Sequence, residues 1–166
     1  EIIEHQEDII KVLSAKISRI EKQMDEIIKA NKKLNKLFKL LTSIKGVGEV
    51  TARYTSVYTA AFTKFATWRK FASYCGVAPF PHRSGTSVKG RNKVSNLANK
   101  KIKSLLTMCV GSAIQSNPEM KAYYERRLKE GKSEMSTQNI IRNKLLARMF
   151  AVVKRGTPYV NTMKYA

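Results

Sequence analysis

One segment, residues 81–87, reads Pro-His-Arg-Ser-Gly-Thr-Ser and holds the chain's candidate nucleophile, Ser84. A serine between arginine and glycine can expose its hydroxyl beside a phosphate, where the oxygen could attack phosphorus. Serine is a weak nucleophile without a base or a metal, and no nearby Asp or Glu can orient His82 as in a catalytic triad. Most loop serines form turns, so composition alone favours that structural role for Ser84.

A second candidate contact is the glycine turn at residues 44–48, Ile-Lys-Gly-Val-Gly, which resembles a helix-hairpin-helix motif spanning about residues 40–60. Its glycines let the backbone turn tightly, so that consecutive N–H groups at a helix start can converge on one phosphate. The alternative is a plain corner in which glycine supplies a positive φ, and Glu49 is expected to cap the second helix. The predicted phosphate-binding set is Lys45, Gly46, Val47 and Gly48.

The charge of the chain is +20 and is unevenly distributed. Residues 1–41 carry nine basic and seven acidic residues, a net +2, whereas residues 42–166 carry 23 and five, a net +18. Between Glu49 and Glu119 there are eleven Lys or Arg and no Asp or Glu. This pattern indicates a polyanionic partner, DNA or RNA, bound in a salt-dependent way. The candidate phosphate contacts around the serine are Arg83, Lys89, Arg91 and Lys93.

The same residues limit the chemistry and the location. The acid-free stretch cannot hold a hydrolytic metal ion, so no cofactor is predicted for this chain itself. Cys75 and Cys109 form no paired motif and lie in apolar surroundings, which predicts buried, reduced thiols and argues against a zinc finger. No apolar run approaches the length of a spanning helix and no signal peptide is visible, so the expected location is cytoplasmic.

Residues 1–41 have the heptad pattern of a coiled coil. Apolar side chains alternate in steps of three and four for more than five heptads, with Asn31 at a core position that can fix register. No second segment of similar length is present, so the predicted partner is the same helix of another chain, in a homodimer or a higher oligomer. The alternative is a long helix folded onto its own domain. The start at Glu1 inside a helical pattern predicts a fragment of a longer protein.

Residues 42–166 are predicted to form an all-α domain of short helices. Thr67, Ser95 and Ser136 are expected to cap or begin helices, and Asn117-Pro118 has the residues of a helix start. Residues 77–94 are rich in Pro, Gly, Ser and basic residues and are predicted to be a loop. Three basic residues of the last helix are predicted to lie near solvent: Arg142, Lys144 and Arg148. Four aromatic residues are expected to pack in the core: Phe62, Phe65, Trp68 and Phe71.

An ordered set of short motifs extends from residue 44 to about residue 153. It comprises the glycine turn, Phe-Ala-Ser-Tyr-Cys-Gly-Val-Ala-Pro at residues 71–79, Ser84-Gly85, Gly90, Lys93-Val94-Ser95 and Asn99-Lys100. Together these motifs resemble the C-terminal transposase domain of the bacterial insertion-sequence transposases that carry an N-terminal RuvC-like Asp-Glu-Asp-Asp domain. This family includes the pilin-gene invertase and the bridge-RNA-guided recombinases. One departure is Ala98, which stands where the family usually has glycine.

The resemblance implies that Ser84 is a nucleophile that attacks a DNA phosphate and forms a phosphoserine link, with Thr86 and Ser87 as the nearest competing hydroxyls. It implies that Mg²⁺ is held by the RuvC-like domain, which this chain does not contain, so the fragment alone is expected to be inactive. DNA is the implied partner, and a guide RNA is left open as a second one. Two rivals remain: a non-catalytic dimeric nucleic-acid-binding module, and a structural coiled-coil protein whose charge serves solubility.

Overall fold

A computed structural model describes residues 2–81, 83–84, 88–90 and 92–160. Within these residues the chain has seven helices and four two-residue strands, so the predicted all-α class is confirmed, with a small β-hairpin added. The helices are α1 (Ile2–Ala30), α2 (Lys32–Thr42), α3 (Glu49–Tyr58), α4 (Trp68–Tyr74), α5 (Lys100–Ser116), α6 (Pro118–Lys129) and α7 (Glu134–Arg155). The strands are β1 (Pro79–Phe80), β2 (Arg83–Ser84), β3 (Val88–Lys89) and β4 (Lys93–Val94).

The chain divides into two compact units between Lys36 and Leu37. In the first unit, α1 has no buried residue. It ends at Ala30, and the Asn31 side chain accepts hydrogen bonds from the backbone N–H groups of Lys33 (3.0 Å) and Leu34 (3.2 Å). Asn31 therefore caps a second helix within the heptad region predicted over residues 1–41. Backbone hydrogen bonds still continue across it, from the Asn31 N–H to the Ile27 carbonyl (3.2 Å) and from the Asn35 N–H to the Asn31 carbonyl (2.9 Å).

The second unit is built around α5, which contacts α3, α6 and α7, while α7 also packs on α4 and α6. One face of α5 is buried along its length through Ile102, Leu105, Leu106, Cys109, Val110 and Ala113. The predicted aromatic core is confirmed. Phe71 is fully buried, and Phe62, Phe65 and Trp68 are partly buried and pack against the core. Their rings meet at centroid distances of 4.8 Å for Phe62 and Phe150 and 5.0 Å for Phe65 and Phe71.

Two of the four predicted helix starts, those at Thr67 and Asn117, are confirmed. Thr67 accepts from the Lys70 amide and Asn117 from the Glu119 amide, as expected. The residue that caps α5 is Asn99, not Ser95, and the residue that caps α7 is Ser133, not Ser136. The observed caps precede the predicted cap by three residues at α7 and follow it by four at α5. In each, the side-chain oxygen accepts a hydrogen bond from the backbone N–H three residues later in the chain.

The connection between α3 and α4 contains three consecutive residues in the left-handed region: Ala60 (φ 47°), Ala61 (φ 53°) and Phe62 (φ 67°). Such a conformation costs roughly 1–2 kcal/mol for each L-residue. Thr59 offsets part of this cost. It is fully buried, donates its hydroxyl hydrogen to the Thr55 carbonyl at 2.7 Å and accepts from the Phe62 amide at 3.0 Å.

Both cysteines are free and buried, as predicted. Burial raises the pKa of the Cys75 thiol from 9.0 to about 12. The unfolded chain loses this proton near its ordinary pKa while the folded protein keeps it, so the unfolded state binds fewer protons between those values. Stability should therefore fall as pH rises from about 9 towards 12, by at most ~1.4 kcal/mol per pH unit from this group.

We predict that the Cys75→Ala variant loses this component of the pH dependence. The measurement is the free energy of unfolding in urea at several pH values between 8 and 10.5, for wild type and variant. The variant starts less stable because a buried side chain is truncated, but its stability should decline less steeply with pH. Parallel curves for the two proteins would contradict the assignment of a buried protonated thiol.

Candidate serine hairpin and phosphate contacts

Ser84 lies near the end of a short β-hairpin. At its base β1 pairs antiparallel with β4, with Phe80 opposite Lys93. Farther out β2 pairs with β3, with Arg83 opposite Lys89 and Ser84 opposite Val88. The prediction of a loop over residues 77–94 is therefore wrong in part. Two-residue strands are too short to produce the apolar–polar alternation by which a strand is recognised in sequence.

The hairpin brings three of the predicted residues together by backbone pairing: Arg83, Ser84 and Lys89. Lys93 lies on the ladder at the base and is exposed. Five residues of this segment lie outside the described residues: His82, Gly85, Thr86, Ser87 and Arg91.

The first foot of the hairpin is fixed where α4 ends. Gly76 has a φ of +65°, which favours glycine, and it turns the chain out of the helix. The next residue, Val77, is fully buried, and its carbonyl oxygen accepts hydrogen bonds from the side-chain amides of Asn139 and Asn143, both at 2.9 Å. Two side chains of α7 thus hold the backbone just before β1 begins.

The second foot is fixed where α5 begins. The Asn99 backbone N–H donates to the Tyr74 carbonyl and its side-chain amide donates to the Tyr74 hydroxyl, both at 3.0 Å. The side-chain oxygen of Asn99 also caps α5 by accepting from the Ile102 amide at 3.1 Å. The two feet touch, because a Cβ on Gly76 would lie 2.3 Å from the Cβ of Ala98. Ala98 is therefore in direct contact with the end of α4.

The glycine turn has the expected helix–turn–helix order but a different set of contacts. Gly46 has a φ of +95°, and a Cβ there would lie 2.6 Å from the Cβ of Ala113 on α5. Both the backbone conformation and the lack of space for a side chain therefore require glycine at this position. Val47 is buried and Lys45 is exposed. The Cys109 thiol lies 3.1 Å from the Thr51 hydroxyl, and burial raises the pKa of this thiol while Thr51 and the nearby Gly48 backbone lower it.

Glu49 does not cap α3, contrary to expectation. The N-cap position is Gly48, with no side-chain hydrogen bond, and the Glu49 carboxylate instead accepts from Arg53 at 3.2 Å. Arg53 is buried, so a charged partner one turn away is the stronger attraction for the carboxylate.

The hairpin and the glycine turn lie at opposite ends of α5. Asn99 holds the hairpin at the start of this helix, and Ala113 touches Gly46 near its end. Fourteen residues separate these two positions, which is ~21 Å along a helix axis. The structure therefore does not gather all the predicted phosphate contacts into one site.

The part of the chain that the structure describes contains no group of three or more His, Cys, Asp or Glu side chains placed to hold a metal ion. None of its helices is long and apolar enough to cross a membrane.

Both tyrosines of α6 contact charged side chains. The Tyr124 hydroxyl donates a hydrogen bond to Glu134 at 2.9 Å, and the Lys144 ammonium lies 3.8 Å from the Tyr123 ring centroid.

One functional candidate was missed from the sequence. Arg142 was expected near solvent but is only 5% exposed, and its burial lowers the pKa of the guanidinium. It precedes Leu146 by four residues and Met149 by seven, both of which are buried, so helical spacing alone places it on the apolar face. Arg148 was also predicted near solvent, but it is largely buried and pairs with Glu119 at 2.7 Å.

Comparison with known proteins gives a consistent result. The model of the family described as "Transposase IS116/IS110/IS902 family" matches residues 38–125. A pilin gene-inverting protein of Moraxella lacunata is 27% identical over 154 residues, which is 92% of this chain and 48% of that protein. An uncharacterized 43.6 kDa protein of insertion element IS110 from Streptomyces coelicolor is 28% identical over 144 residues, 87% of this chain and 34% of that protein. The chain therefore spans about half or less of the length of these relatives.

The contact between the two hairpin feet yields a prediction about stability. Gly76→Ala should destabilise the protein by about 2–4 kcal/mol, because it adds a left-handed alanine and a clash with Ala98. Ala98→Gly in the same protein should recover the part that is due to the clash. Gly111→Ala is the matched control: it lies in α5 with nothing near its Cβ position, and it should stabilise by roughly 0.5–1 kcal/mol. The measurement is urea unfolding of wild type, Gly76→Ala, Ala98→Gly, the double variant and Gly111→Ala. If the effects of Gly76→Ala and Ala98→Gly on the free energy of unfolding simply add in the double variant, the contact is disproved.

Proposed function

Because this chain belongs to the IS116/IS110/IS902 transposase family, we propose that it is the part of a DNA transposase or recombinase that supplies a serine nucleophile. The family is named for transposition and the Moraxella relative for the inversion of a pilin gene, both of which rearrange DNA, and we extend that activity to this chain. The observation that carries the proposal is the backbone pairing that sets Ser84 beside Arg83 and Lys89 at the outer end of a hairpin.

In the proposed reaction the Ser84 oxygen attacks a phosphodiester phosphorus of DNA. A bond forms between this oxygen and phosphorus as one strand oxygen leaves, and the serine proton passes to solvent or a base. A hydroxyl of another strand then attacks the phosphoserine, which rejoins the DNA and regenerates serine. Positive charge beside the serine stabilises the phosphate as negative charge develops on its oxygens.

The residues of this chain near the serine do not fit an Mg²⁺ site. Residues 50–118 contain no Asp or Glu, and Mg²⁺ prefers carboxylate and other oxygen ligands. The group that activates Ser84 must therefore come from outside this stretch, either from another domain of the protein or from a second protomer. This is the composite site that the family resemblance implies.

The DNA itself would contact two places on the second unit. One is the hairpin with Arg83, Lys89, Arg91 and Lys93, and the other is the glycine turn. Because Gly46 is packed against Ala113 and Val47 is buried, we assign phosphate binding at the turn to the exposed Lys45 and to the backbone N–H groups that begin α3. A surface of this charge also supports association with the nucleoid.

We predict that Ser84→Ala in the full-length protein abolishes covalent protein–DNA complexes while changing the dissociation constant for DNA by less than about three-fold, because one neutral hydroxyl adds little to binding. Ser87→Ala is the matched control and should leave complex formation intact. The complexes are counted on denaturing gels with labelled DNA. Complexes that persist in Ser84→Ala but vanish in Ser87→Ala would move the nucleophile to Ser87. DNA binding without covalent complexes in any protein would favour the non-catalytic module.

The second part of the proposal is self-association through α1. Its apolar heptad side chains are largely exposed, as Ile10 (61%), Leu13 (53%), Ile17 (57%) and Ile20 (55%) illustrate. Such a stripe is the seam of a coiled coil, and a second copy of the same helix would bury it.

The test is a pair of polar substitutions in that seam. Ile17→Asn with Ile20→Asn should lower the molar mass of the full-length protein, measured by light scattering, to that of a smaller assembly, because two adjacent core layers lose their apolar contacts. Val12→Asn is the control: it is also exposed but lies off the seam, and should leave the mass unchanged. An unchanged mass in the seam variant would rule out the predicted interface.

A further inference from the structure

A pocket of about 640 Å³ opens beside the base of the hairpin, between β4, α5 and the first turns of α7. Its volume is in the range of small-ligand sites. Seven polar residues line it, among them three cations: Lys93, Lys103 and Arg142. The other four are Asn92, Asn96, Ser136 and Asn139. No Asp or Glu lines it.

Arg142 is the unusual member of this lining. It is 5% exposed, and its Nε–H is buried without a hydrogen-bond partner. Burying a guanidinium without a partner costs folding free energy. Two other arginines of the second unit that are mostly buried have acidic partners: Arg53 pairs with Glu49, and Arg148 pairs with Glu119. Among the described residues, no carboxylate forms an ion pair with Arg142. A buried positive charge that faces a pocket without an acid is suited to an anion that arrives with a ligand.

The rest of the lining supports the same kind of ligand. Lys103, which is half-buried, and Lys93, which is exposed, add two further positive charges to the lining. Ser136 and Asn92 add neutral hydrogen-bonding groups. A tetrahedral anion with several acceptor oxygens, such as a phosphodiester, satisfies a set of donors of this kind.

We propose that this pocket binds a DNA phosphodiester a few nucleotides from the one at Ser84, with Arg142 as its buried cation and Lys103 and Lys93 beside it. The spacing fits: Lys93 pairs with Phe80, and Ser84 follows Phe80 by four residues, which span at most ~14 Å and so reach only a few nucleotides along one DNA strand. The proposal takes DNA as the ligand from the proposed function but does not depend on the serine chemistry.

The test uses the full-length protein and duplex DNA, with binding measured by fluorescence anisotropy at several salt concentrations. Arg142→Gln should weaken binding about ten-fold on any sequence and reduce the slope of log K against log salt by about 1. Arg126→Gln is the matched control, since it removes the same charge from an exposed site on α6, and should change binding by less than two-fold. Pyrophosphate should raise the melting temperature of wild type and Arg126→Gln more than that of Arg142→Gln.

Equal affinities for DNA and equal salt slopes for Arg142→Gln and Arg126→Gln would overturn the proposal. So would an Arg142→Gln variant that loses affinity for RNA, measured in the same way, but keeps its affinity for DNA. If Arg142→Gln fails to fold, Lys103→Gln takes its place with the same expected reduction in slope. The outcomes separate this site from the serine: covalent complexes in wild type with no effect of Arg142→Gln would reject only the pocket. A clear effect of Arg142→Gln without covalent complexes would reject only the serine nucleophile.

Discussion

The contact between Gly76 and Ala98 is the constraint on which the candidate site depends. It joins the end of α4 to the residues that precede α5, so the segment that carries the paired strands leaves and returns at one place. The Val77 carbonyl, held by two asparagines of α7, fixes the same junction from a third helix. A short hairpin is marginal by itself, so its position is determined by three helices that meet at its feet.

The helix α5 then sets the distance between the two candidate DNA contacts. Its start holds the hairpin through Asn99, and its end touches the glycine turn through Ala113. Because its inner face is continuously apolar, the helix is a rigid spacer inside the core. The excess positive charge of the second unit belongs to side chains around this spacer, and three of its carboxylates are engaged by arginines: Glu49 by Arg53, Glu119 by Arg148, and Glu130 by Arg126 and Arg127.

The sequence was most informative where a pattern was long or chemically explicit. The apolar face of α5 and the Asn117-Pro118 helix start could be predicted because helical spacing and capping residues determine them. The hairpin could not, because two-residue strands have no periodicity and long-range pairing decides their register. Asn31 could have served a coiled-coil core or a helix cap, and only the local backbone decided for the cap. Arg142 was missed because a charged residue was assumed to face solvent although its spacing placed it inward.

We propose that the outer end of this hairpin carries the atom that becomes bonded to DNA. The most direct test is mass spectrometry of a trapped protein–DNA complex of the full-length protein after digestion with a protease and a nuclease. We expect one peptide spanning residues 84–89 that carries a nucleotide phosphate on Ser84. A nucleotide attached to Ser87, to Tyr123 or to Tyr124 would contradict it.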